Sequence, residues 1–317
     1  MGERYDDMYD AALRYHVQGE TMGAIARALG TSRSSVSRLL AKARDEGLVR
    51  VTVAPPRGAR SPAARAIVER FGVAVHQVEV GASARPAARL ERVARQAAAV
   101  LSDAVGDGML IGAGWGVTLT EIARRLERRP VADATVVPLM GSANPTDPGS
   151  SHVDVLLHAL GDAFDATVVQ FPVPAFFDYP ETRAAMWRER SVRQVLDLQA
   201  NLDVAVFGLG SLTASIPSHV YSAGFLDADD LVALASEGVV GDVCTVLLRE
   251  DGSHDVAFNH RSTGLLPDAL ARVPRRLCVV ADPLRAPILH AALRAGVVTD
   301  LVCDDQTAKS LARRIAG

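Results

Sequence analysis

The sequence contains little cysteine and no long apolar run. Its three cysteines, Cys244, Cys278 and Cys303, are odd in number, far apart and free of any CxxC spacing, which argues against a disulfide framework or a thiolate metal site. No stretch approaches the roughly 18 consecutive apolar residues of a membrane helix. The first ten residues carry acids where a signal peptide carries a basic and then an apolar segment. We therefore expect a cytoplasmic protein with no membrane segment.

Lysine is also scarce, since Lys42 and Lys309 are the two lysines among 34 basic residues. Schiff-base chemistry requires a lysine in the site, and Lys309 falls in a predicted C-terminal helix of solvent-exposed character. The eight histidines offer no pair at the i, i+4 spacing of helical metal ligands. No metal and no cofactor are therefore predicted.

The composition that remains is that of a protein with a substantial core. Hydrophobic residues make up 49% of the 317 positions and charged residues 22%, and the length suits two domains better than one. The net charge of −3 conceals a local excess of positive charge at residues 21–50, with six basic side chains against two acids. This end of the chain is therefore suited to an anionic partner.

Three helical patterns follow one another in the N-terminal region. Apolar spacing predicts a supporting helix over residues 4–18, a short helix over 22–30 and a third helix over 32–47. A glycine-containing turn joins the last two, and the third helix is basic and rich in hydroxyls near its start. This combination is typical of a helix-turn-helix, in which the second helix of the motif lies in the major groove of DNA.

The polar face of this motif supplies the candidate DNA contacts. Arg33 and Arg38 would donate paired hydrogen bonds to guanine, and an exposed serine would reach base edges or phosphates. An ordinary surface helix also carries exposed arginines, but the combination of helices, turn and basic face favours DNA binding. The predicted DNA-binding residues are Thr21, Ser32, Arg33, Ser34, Ser35, Ser37, Arg38 and Lys42.

The segment after the third helix marks a domain boundary. Residues 47–53 (GLVRVTV) alternate like a short strand, which predicts the wing of a winged helix. Residues 54–62 hold three prolines, a glycine and two arginines, and this composition predicts a linker. We therefore divide the chain into a DNA-binding domain at 1–53, a linker at 54–62 and a second domain at 63–317.

The second domain has the pattern of an α/β fold. Strand-like apolar runs alternate with helical segments from residue 75 to residue 315, including one predicted strand at 203–210 and one predicted helix at 183–200. Repeated βα units predict a doubly wound, Rossmann-like and mostly parallel sheet with helices on both faces. Ligands of such sheets bind beyond the carboxyl ends of the strands, where candidate site residues are therefore sought.

A glycine-rich turn follows one of these predicted strands. Residues 112–118 (GAGWGVT) place three glycines and a threonine before a predicted helix, which suits phosphate binding, although a tight turn requires glycine for geometry alone. The spacing departs from the GxGxxG of dinucleotide sites. Trp115 and Trp187 would either stack on a sugar ring or pack in the core.

Further polar residues follow other predicted strands. Asp242 or Asp282 would accept hydrogen bonds from sugar hydroxyls, and Arg285 would bind a phosphate through two hydrogen bonds. An Asx turn is the alternative explanation for each aspartate, and simple solvent exposure is the alternative for Arg285. The residues that would add amides and hydroxyls to the same pocket are Gly141, Ser142, Gly208 and Gly210.

The chain as a whole resembles the SorC (sorbitol-operon-regulator) family of bacterial sugar-binding transcriptional regulators, sometimes grouped with the deoxyribonucleoside regulators. The resemblance extends over nearly the whole length. The segments that carry it are TSRSSVSRLLAKARDEGLVRVTV, IGAGWGVTL, VPLMGS, FPVPAFFDYPETR, DVAVFGLGS, GVVGDV and VVADPLRAPILHAALRAGVVTDLVCDDQTAKSL.

This resemblance implies a regulator of a carbohydrate catabolic operon that binds double-stranded operator DNA as a homodimer or homotetramer. It also implies a C-terminal domain similar to the sugar-phosphate isomerase and CoA-transferase fold, switched by a sugar, sugar phosphate or polyol. The effector residues carried over by the resemblance are Gly112, Gly114, Trp115, Gly116, Thr118, Gly141, Ser142, Gly208, Gly210 and Asp242.

The sequence departs from the family at one position of the expected site. Where many members have Gly-Gly-x-x-Lys, residues 281–285 read Ala-Asp-Pro-Leu-Arg. Arg285 would replace the lysine as a phosphate clamp, but Asp282 adds a negative charge beside it. The effector is therefore expected to be less phosphorylated, or differently placed, than the family norm.

A sugar-phosphate-isomerase-like enzyme with a fused DNA-binding domain is the alternative. Such an enzyme would pair a carboxylate base with a lysine or a second acid that stabilises the enediolate. The scarcity of lysine in the second domain and the presence of a helix-turn-helix both favour a regulator without enzymatic activity.

Overall fold

The computed structural model describes residues 2–46, 48–49, 61–142, 151–222 and 224–316. Contacts within the chain divide it into two compact units, Met1–Ala59 and Arg60–Gly317. The predicted wing strand at 47–53 and the predicted linker at 54–62 fall largely outside the described residues. In the described part of the chain, no helix is both long and apolar enough to cross a membrane.

The helices described in the first unit follow the predicted order. Thr21 Oγ1 accepts a hydrogen bond from Ala24 N at 3.2 Å, and Ser32 Oγ accepts one from Ser35 N at 3.2 Å, so that each helix of the motif begins at a side-chain cap. Both motif helices are confirmed, with ends a residue or two inside the predicted ones. The bounds are α1 (Gly2–His16), α2 (Met22–Ala28) and α3 (Arg33–Asp45).

A small apolar core holds these helices together. Val36 and Leu40 lie one turn apart on α3 and are almost fully buried, as is Ile25 of α2. One stripe of α3 therefore faces the other helices, and its polar face is left to solvent. The buried members of this core are Met8, Ala11, Ala12, Ile25, Ala26, Val36, Leu40 and Ala43.

The second unit contains both strands and helices. Its described strands are β1 (Ala74–Val78), β2 (Leu110–Ala113), β3 (Thr135–Pro138), β4 (Thr167–Val168), β5 (Val204–Phe207), β6 (Leu209–Ser211), β7 (Val239–Val243), β8 (Val246–Arg249), β9 (Arg275–Val280) and β10 (Asp300–Asp304). Its described helices are α4 (Pro62–Phe71), α5 (Pro86–Ala104), α6 (Val117–Ala123), α7 (Ser151–Phe164), α8 (Pro180–Met186), α9 (Arg190–Gln199), α10 (His219–Ser222), α11 (Ala228–Ser236), α12 (Pro267–Leu270), α13 (Ala286–Arg294) and α14 (Asp305–Ala316), with short 3₁₀ helices at Ala257–His260 and Pro283–Arg285.

The predicted α/β architecture with a mostly parallel sheet is confirmed. Within the described ranges, seven strands pair in parallel in the order β1-β10-β9-β5-β2-β3-β4. The chain adds strands on one side of β2 and then returns to the other side at β5, so the order reverses between these two strands. A reversal of this kind leaves a crevice beyond the carboxyl ends of the two strands.

A second sheet corrects the sequence-based prediction. The single strand predicted at 203–210 divides at Gly208 into β5 of the parallel sheet and β6, and β6 pairs antiparallel with β7 of a separate sheet, β6-β7-β8. Asp242, predicted to follow a strand, lies within β7. The β7–β8 hairpin turns at Cys244 and Thr245, both with positive φ. These are not the Asn-Gly or Asp-Gly residues by which such a turn is usually predicted.

Two helical predictions also change. The helix predicted at 183–200 is two helices, α8 and α9, with a break at residues 187–189. Pro62, placed in the predicted linker, is the first residue of α4, where Ser61 Oγ accepts a hydrogen bond from Ala64 N at 3.1 Å. Proline at the first helical position needs no hydrogen-bond donor, so the residue suits a helix start as well as a linker.

A buried ion pair joins α5 to the end of β10. Arg89 Nη1 lies 2.7 Å from Asp304 Oδ1, with the arginine side chain 10% exposed and the aspartate fully buried. Asp304 also accepts hydrogen bonds from the backbone of Gln306 and from the backbone and hydroxyl of Thr307, which begin α14. The carboxylate therefore fixes three elements near the carboxyl edge of the parallel sheet.

Replacement of Arg89 by alanine should destabilise the second unit by about 3 kcal/mol, because it leaves a buried carboxylate without its cation. Chemical denaturation of the full chain tests this, since both tryptophans of the sequence lie in that unit and report its unfolding. Arg95→Ala, which removes an exposed i, i+4 pair with Glu91, is the control and should cost less than about 1 kcal/mol. Equal effects of the two substitutions would contradict this role of Asp304.

Candidate functional site

The polar face of α3 is the first candidate site. The exposed predicted residues on this helix are Arg33, Ser34, Ser37, Arg38 and Lys42. No described carboxylate pairs with Arg33 or Arg38, whereas Lys42 lies 3.3 Å from Glu46. Both guanidinium groups are therefore available to an external acceptor.

The hydroxyls at the start of α3 contact one another. Ser32 Oγ lies 2.8 Å from Ser34 Oγ and 3.0 Å from Ser35 Oγ, and Arg38 Nη2 donates to Ser35 Oγ at 3.4 Å. Ser32 and Thr21 also cap their helices, and Ser35 is half-buried. The eight predicted residues thus divide into exposed side chains on α3 and hydroxyls that already support the helix starts.

A pocket opens where the order of the parallel strands reverses. It encloses about 530 Å³ of space, its open mouth included, beyond the carboxyl ends of β2 and β5. The predicted effector residues that line it are Gly114, Trp115, Gly116, Thr118, Gly208, Gly210, Asp242 and Arg285.

Three predicted residues lie near this pocket without lining it. Gly112 sits inside β2, where a Cβ would collide with the side chains of Leu139 and Leu202. Gly141 packs so closely on the backbone of the loop that begins at Val173 that any side chain would overlap a carbonyl oxygen. Ser142 N donates to Val173 O at 3.2 Å. These residues shape the strand ends behind the site.

The carboxylate of Asp242 is the main polar group of the pocket. It is 3% exposed, and its Oδ2 accepts a hydrogen bond from Thr245 N at 2.9 Å. The Tyr221 hydroxyl is near this carboxylate, but neither Tyr221 Oη nor Asp242 Oδ1 forms a hydrogen bond of normal geometry with any described residue. Glycine is required at position 210, since a Cβ there would overlap the Asp242 carboxylate.

Burial raises the pKa of Asp242 above its usual value. The nearby Tyr221 hydroxyl, the Thr245 amide and the charge of Arg285 oppose that rise without cancelling it. The same burial, together with the negative charge of Asp242, raises the pKa of the Cys244 thiol well above its ordinary range. Cys244 lines the pocket as a neutral thiol and not as a reactive thiolate.

Arg285 is half-buried in the same wall and bonds to the protein itself. Its Nη1 donates to Leu209 O and, at 3.1 Å, to Ser218 Oγ, and its Nη2 donates to Ile216 O at 3.0 Å. Burial lowers the pKa of this guanidinium, while the charges of Asp282 and Asp242 raise it. Arg285 therefore holds the loop after β6 against the pocket.

Asp282 secures the same loop from the other side. Its Oδ2 accepts from Ser215 N at 2.6 Å, and its Oδ1 accepts from Ser215 Oγ at 3.2 Å and from Leu284 N at 3.1 Å. It lines a second, smaller cavity that shares Thr118 and Arg285 with the main pocket. Its two oxygens are engaged by three protein donors, which is the arrangement of a capping aspartate.

The two tryptophans have different surroundings. Trp115 lines the pocket, donates from Nε1 to Gly141 O at 3.0 Å and stacks on Phe225 with ring centroids 5.4 Å apart. Trp187 lines neither cavity and packs under the Arg183 guanidinium, 4.5 Å from the ring centroid. Trp115 is thus the one of the two that a bound ligand would reach.

Sequence analysis missed the loop residues that complete the pocket. Ser218, His219 and Val220 line it from the segment between β6 and α11, and Cys244 lines it from the tip of the β7–β8 hairpin. The segment has no helical or alternating period, so no sequence pattern points to it. Its proximity to the pocket depends on Asp282 and Arg285, which are some 70 residues away in the chain.

Comparison with known proteins shows two matching family models and similar regulators. Residues 59–313 match the family model "Putative sugar-binding domain", and residues 13–61 match the MarR family. The deoxyribonucleoside regulator of Bacillus subtilis is 24% identical over 303 residues, which is 95% of this chain and 96% of that protein.

Two solved structures are similar. A domain of a possible sugar-binding transcriptional regulator from Arthrobacter aurescens is 41% identical, with a TM-score of 0.75, over 82% of this chain and 100% of that one. The full-length sorbitol operon regulator SorC from Klebsiella pneumoniae is 20% identical and shares the fold, with a TM-score of 0.79 over 96% and 97% of the two chains.

The chain belongs to the SorC family of sugar-binding transcriptional regulators. Family membership rests on the sugar-binding model, which covers most of the chain, and on the relative that is 41% identical. Both a helix-turn-helix and a sugar-binding domain are present. This combination, together with the similarity to a known regulator, favours a transcriptional regulator over an isomerase-like enzyme.

Arg38→Ala should weaken binding of the regulator to its operator by about 1–3 kcal/mol while leaving its melting temperature and ligand affinity unchanged. The side chain is exposed and makes a single long contact within its own helix. Fluorescence anisotropy on operator DNA measures the change. Arg92→Ala, which removes an exposed arginine of α5, is a charge-matched control. Unchanged operator affinity in Arg38→Ala would remove this face from the DNA interface.

Asp242→Asn should make the regulator more stable at neutral pH and abolish its response to ligand. The folded-state pKa of Asp242 is raised, so between the unfolded-state pKa and the folded-state pKa the folded protein holds a proton that the unfolded chain releases. The contribution of this residue to stability therefore falls as the pH rises from the first pKa to the second. The stability difference between wild type and variant should therefore shrink on acidification. Thermal melts across pH check this, and a variant less stable than wild type at neutral pH would refute it.

Proposed function

We propose that this regulator binds double-stranded operator DNA through α3 and that a sugar, sugar phosphate or polyol in the pocket changes its DNA affinity. The observation that carries the proposal is the pocket at the reversal of the strand order, where the buried Asp242 Oδ1 forms no hydrogen bond of normal geometry with a described residue. A polyhydroxylated ligand would supply the missing donor. The unpaired arginines of α3 support the DNA-binding part.

We assign residues 1–53 to DNA binding, 54–62 to a linker and 63–317 to effector binding and oligomerisation. A homodimer or homotetramer would present two α3 helices to two half-sites, as helix-turn-helix proteins do on palindromic operators. A regulator of this kind works beside the chromosome, which places it in the cytoplasm.

The switch would be an equilibrium between a DNA-competent and a released state. An effector changes that equilibrium only by the difference in its affinity for the two states, and a few kcal/mol suffice. By thermodynamic reciprocity, operator DNA would change the effector affinity by the same factor.

Among the described residues, the pocket offers an isomerase-like enzyme neither a lysine nor a reactive thiolate. Lys309 Nζ pairs with Asp305 at 2.9 Å on α14 and lines neither cavity. Cys244, which does line the pocket, is held as a neutral thiol by its raised pKa. No described group there serves as a lysine or thiolate nucleophile.

The deciding experiment is fluorescence anisotropy of the purified regulator on DNA from upstream of its own operon, with and without sugars, sugar phosphates and polyols. Salt-dependent binding that one compound shifts would establish a ligand-gated regulator. Absence of binding to that DNA under every condition would count against the proposal and would favour the isomerase-like enzyme instead.

Tryptophan emission provides a second test of the pocket. A compound that shifts operator binding should also change the emission of the wild type and of Trp187→Phe, because Trp115 lines the pocket and remains in both. The change should be absent in Trp115→Phe. An emission change that survives in Trp115→Phe and disappears in Trp187→Phe would place the effector elsewhere.

A further inference from the structure

The charges around the two cavities do not suit a phosphate. Of the described Asp, Glu, Lys and Arg residues, Asp242, Asp282 and Arg285 line the two cavities. Two carboxylates therefore face one guanidinium and the imidazole of His219, which also lines the main pocket, and both carboxylates lie close enough to act on the pKa of Arg285. A phosphate monoester would bring further negative charge to a site with no surplus of positive charge.

The hydrogen bonds of Arg285 also argue against a phosphate ligand. Phosphate clamps use the paired donors of arginine, and these donors must be free to face the ligand. In this chain Nη1 and Nη2 already bond to two backbone carbonyls and to Ser218 Oγ, and they hold the loop after β6. Three of the five N–H donors of the guanidinium are thus engaged by the protein, and a phosphate could take those three only by displacing the loop.

The unsatisfied groups of the pocket call for a hydrogen-bond donor. An ionised carboxylate is an acceptor only, and Asp242 Oδ1 is buried and forms no hydrogen bond of normal geometry with a described residue, although the Tyr221 hydroxyl lies near this carboxylate. A ligand hydroxyl donates to such an oxygen, whereas a phosphate oxygen repels it.

We propose that the effector is an uncharged polyhydroxy compound, a sugar or polyol without a phosphate, that donates a hydroxyl to Asp242. In this arrangement Arg285 and Asp282 hold the loop wall and do not contact a ligand phosphate. The inference rests on the function proposed above and narrows its ligand class.

The test uses pairs of compounds that differ only in the phosphate. Ribose and ribose 5-phosphate, sorbitol and sorbitol 6-phosphate, and erythritol and erythritol 4-phosphate are titrated into the regulator on operator DNA, with thermal stability of the free protein as a second readout. In the pair that the pocket binds, the neutral compound should change operator binding and thermal stability at a lower concentration than its phosphate does, by roughly tenfold or more.

Asp282→Asn tests whether the negative charge of Asp282 is what disfavours a phosphate ligand. Loss of one carboxylate should raise affinity for the phosphate member relative to the neutral member by roughly tenfold, because a unit of negative charge is removed near the bound group. The readout is a ratio within one variant, so a general loosening of the loop moves both members alike. Asp197→Asn, at an exposed aspartate of α9 that lines neither cavity, is the control and should leave the ratio unchanged.

The outcomes separate the two proposals. A phosphate member that acts at the lower concentration overturns the neutral-ligand inference and leaves the ligand-gated regulator in place. The inference is also overturned if no neutral compound changes operator binding or thermal stability. Failure to bind operator DNA, with or without any compound, would overturn the regulator function, while a neutral compound that raises the melting temperature in that case would still support the ligand class.

Discussion

The buried carboxylate of Asp242 is the constraint around which the ligand pocket is arranged. A carboxylate can lie there because Gly210 on the neighbouring strand has no side chain in its place and the Thr245 amide bonds one of its oxygens. The other oxygen forms no hydrogen bond of normal geometry with a described residue, and the Tyr221 hydroxyl lies near the carboxylate. Binding sites often retain such destabilising groups, because the same group that weakens the fold supplies specificity.

Asp282 and Arg285 connect this pocket to the loop after β6. Both belong to the short segment after β9, and together they bond to Ser215, Ile216 and Ser218 of the loop after β6. Any ligand that changes the position of this loop must exchange those hydrogen bonds for others. The loop is therefore an element through which occupancy of the pocket can alter the rest of the second unit.

The first unit follows a simpler rule. Its apolar residues pack between three described helices, and the other face of α3 keeps its arginines and serines in solvent. Two side-chain caps fix where the helices of the motif begin. In helix-turn-helix proteins the corresponding helix lies in the major groove and contacts base edges.

Much of this protein was evident from sequence because the governing interactions are local. Helical periodicity and cap residues determined α1 to α3, and repeated βα units determined the parallel sheet. The division of residues 203–210 between two sheets, the β7–β8 hairpin at Cys244 and Thr245, and the loop of Ser218 were decided only by tertiary structure. These features depend on pairing between strands and on hydrogen bonds between side chains some 70 residues apart, for which a single sequence carries no periodic signal.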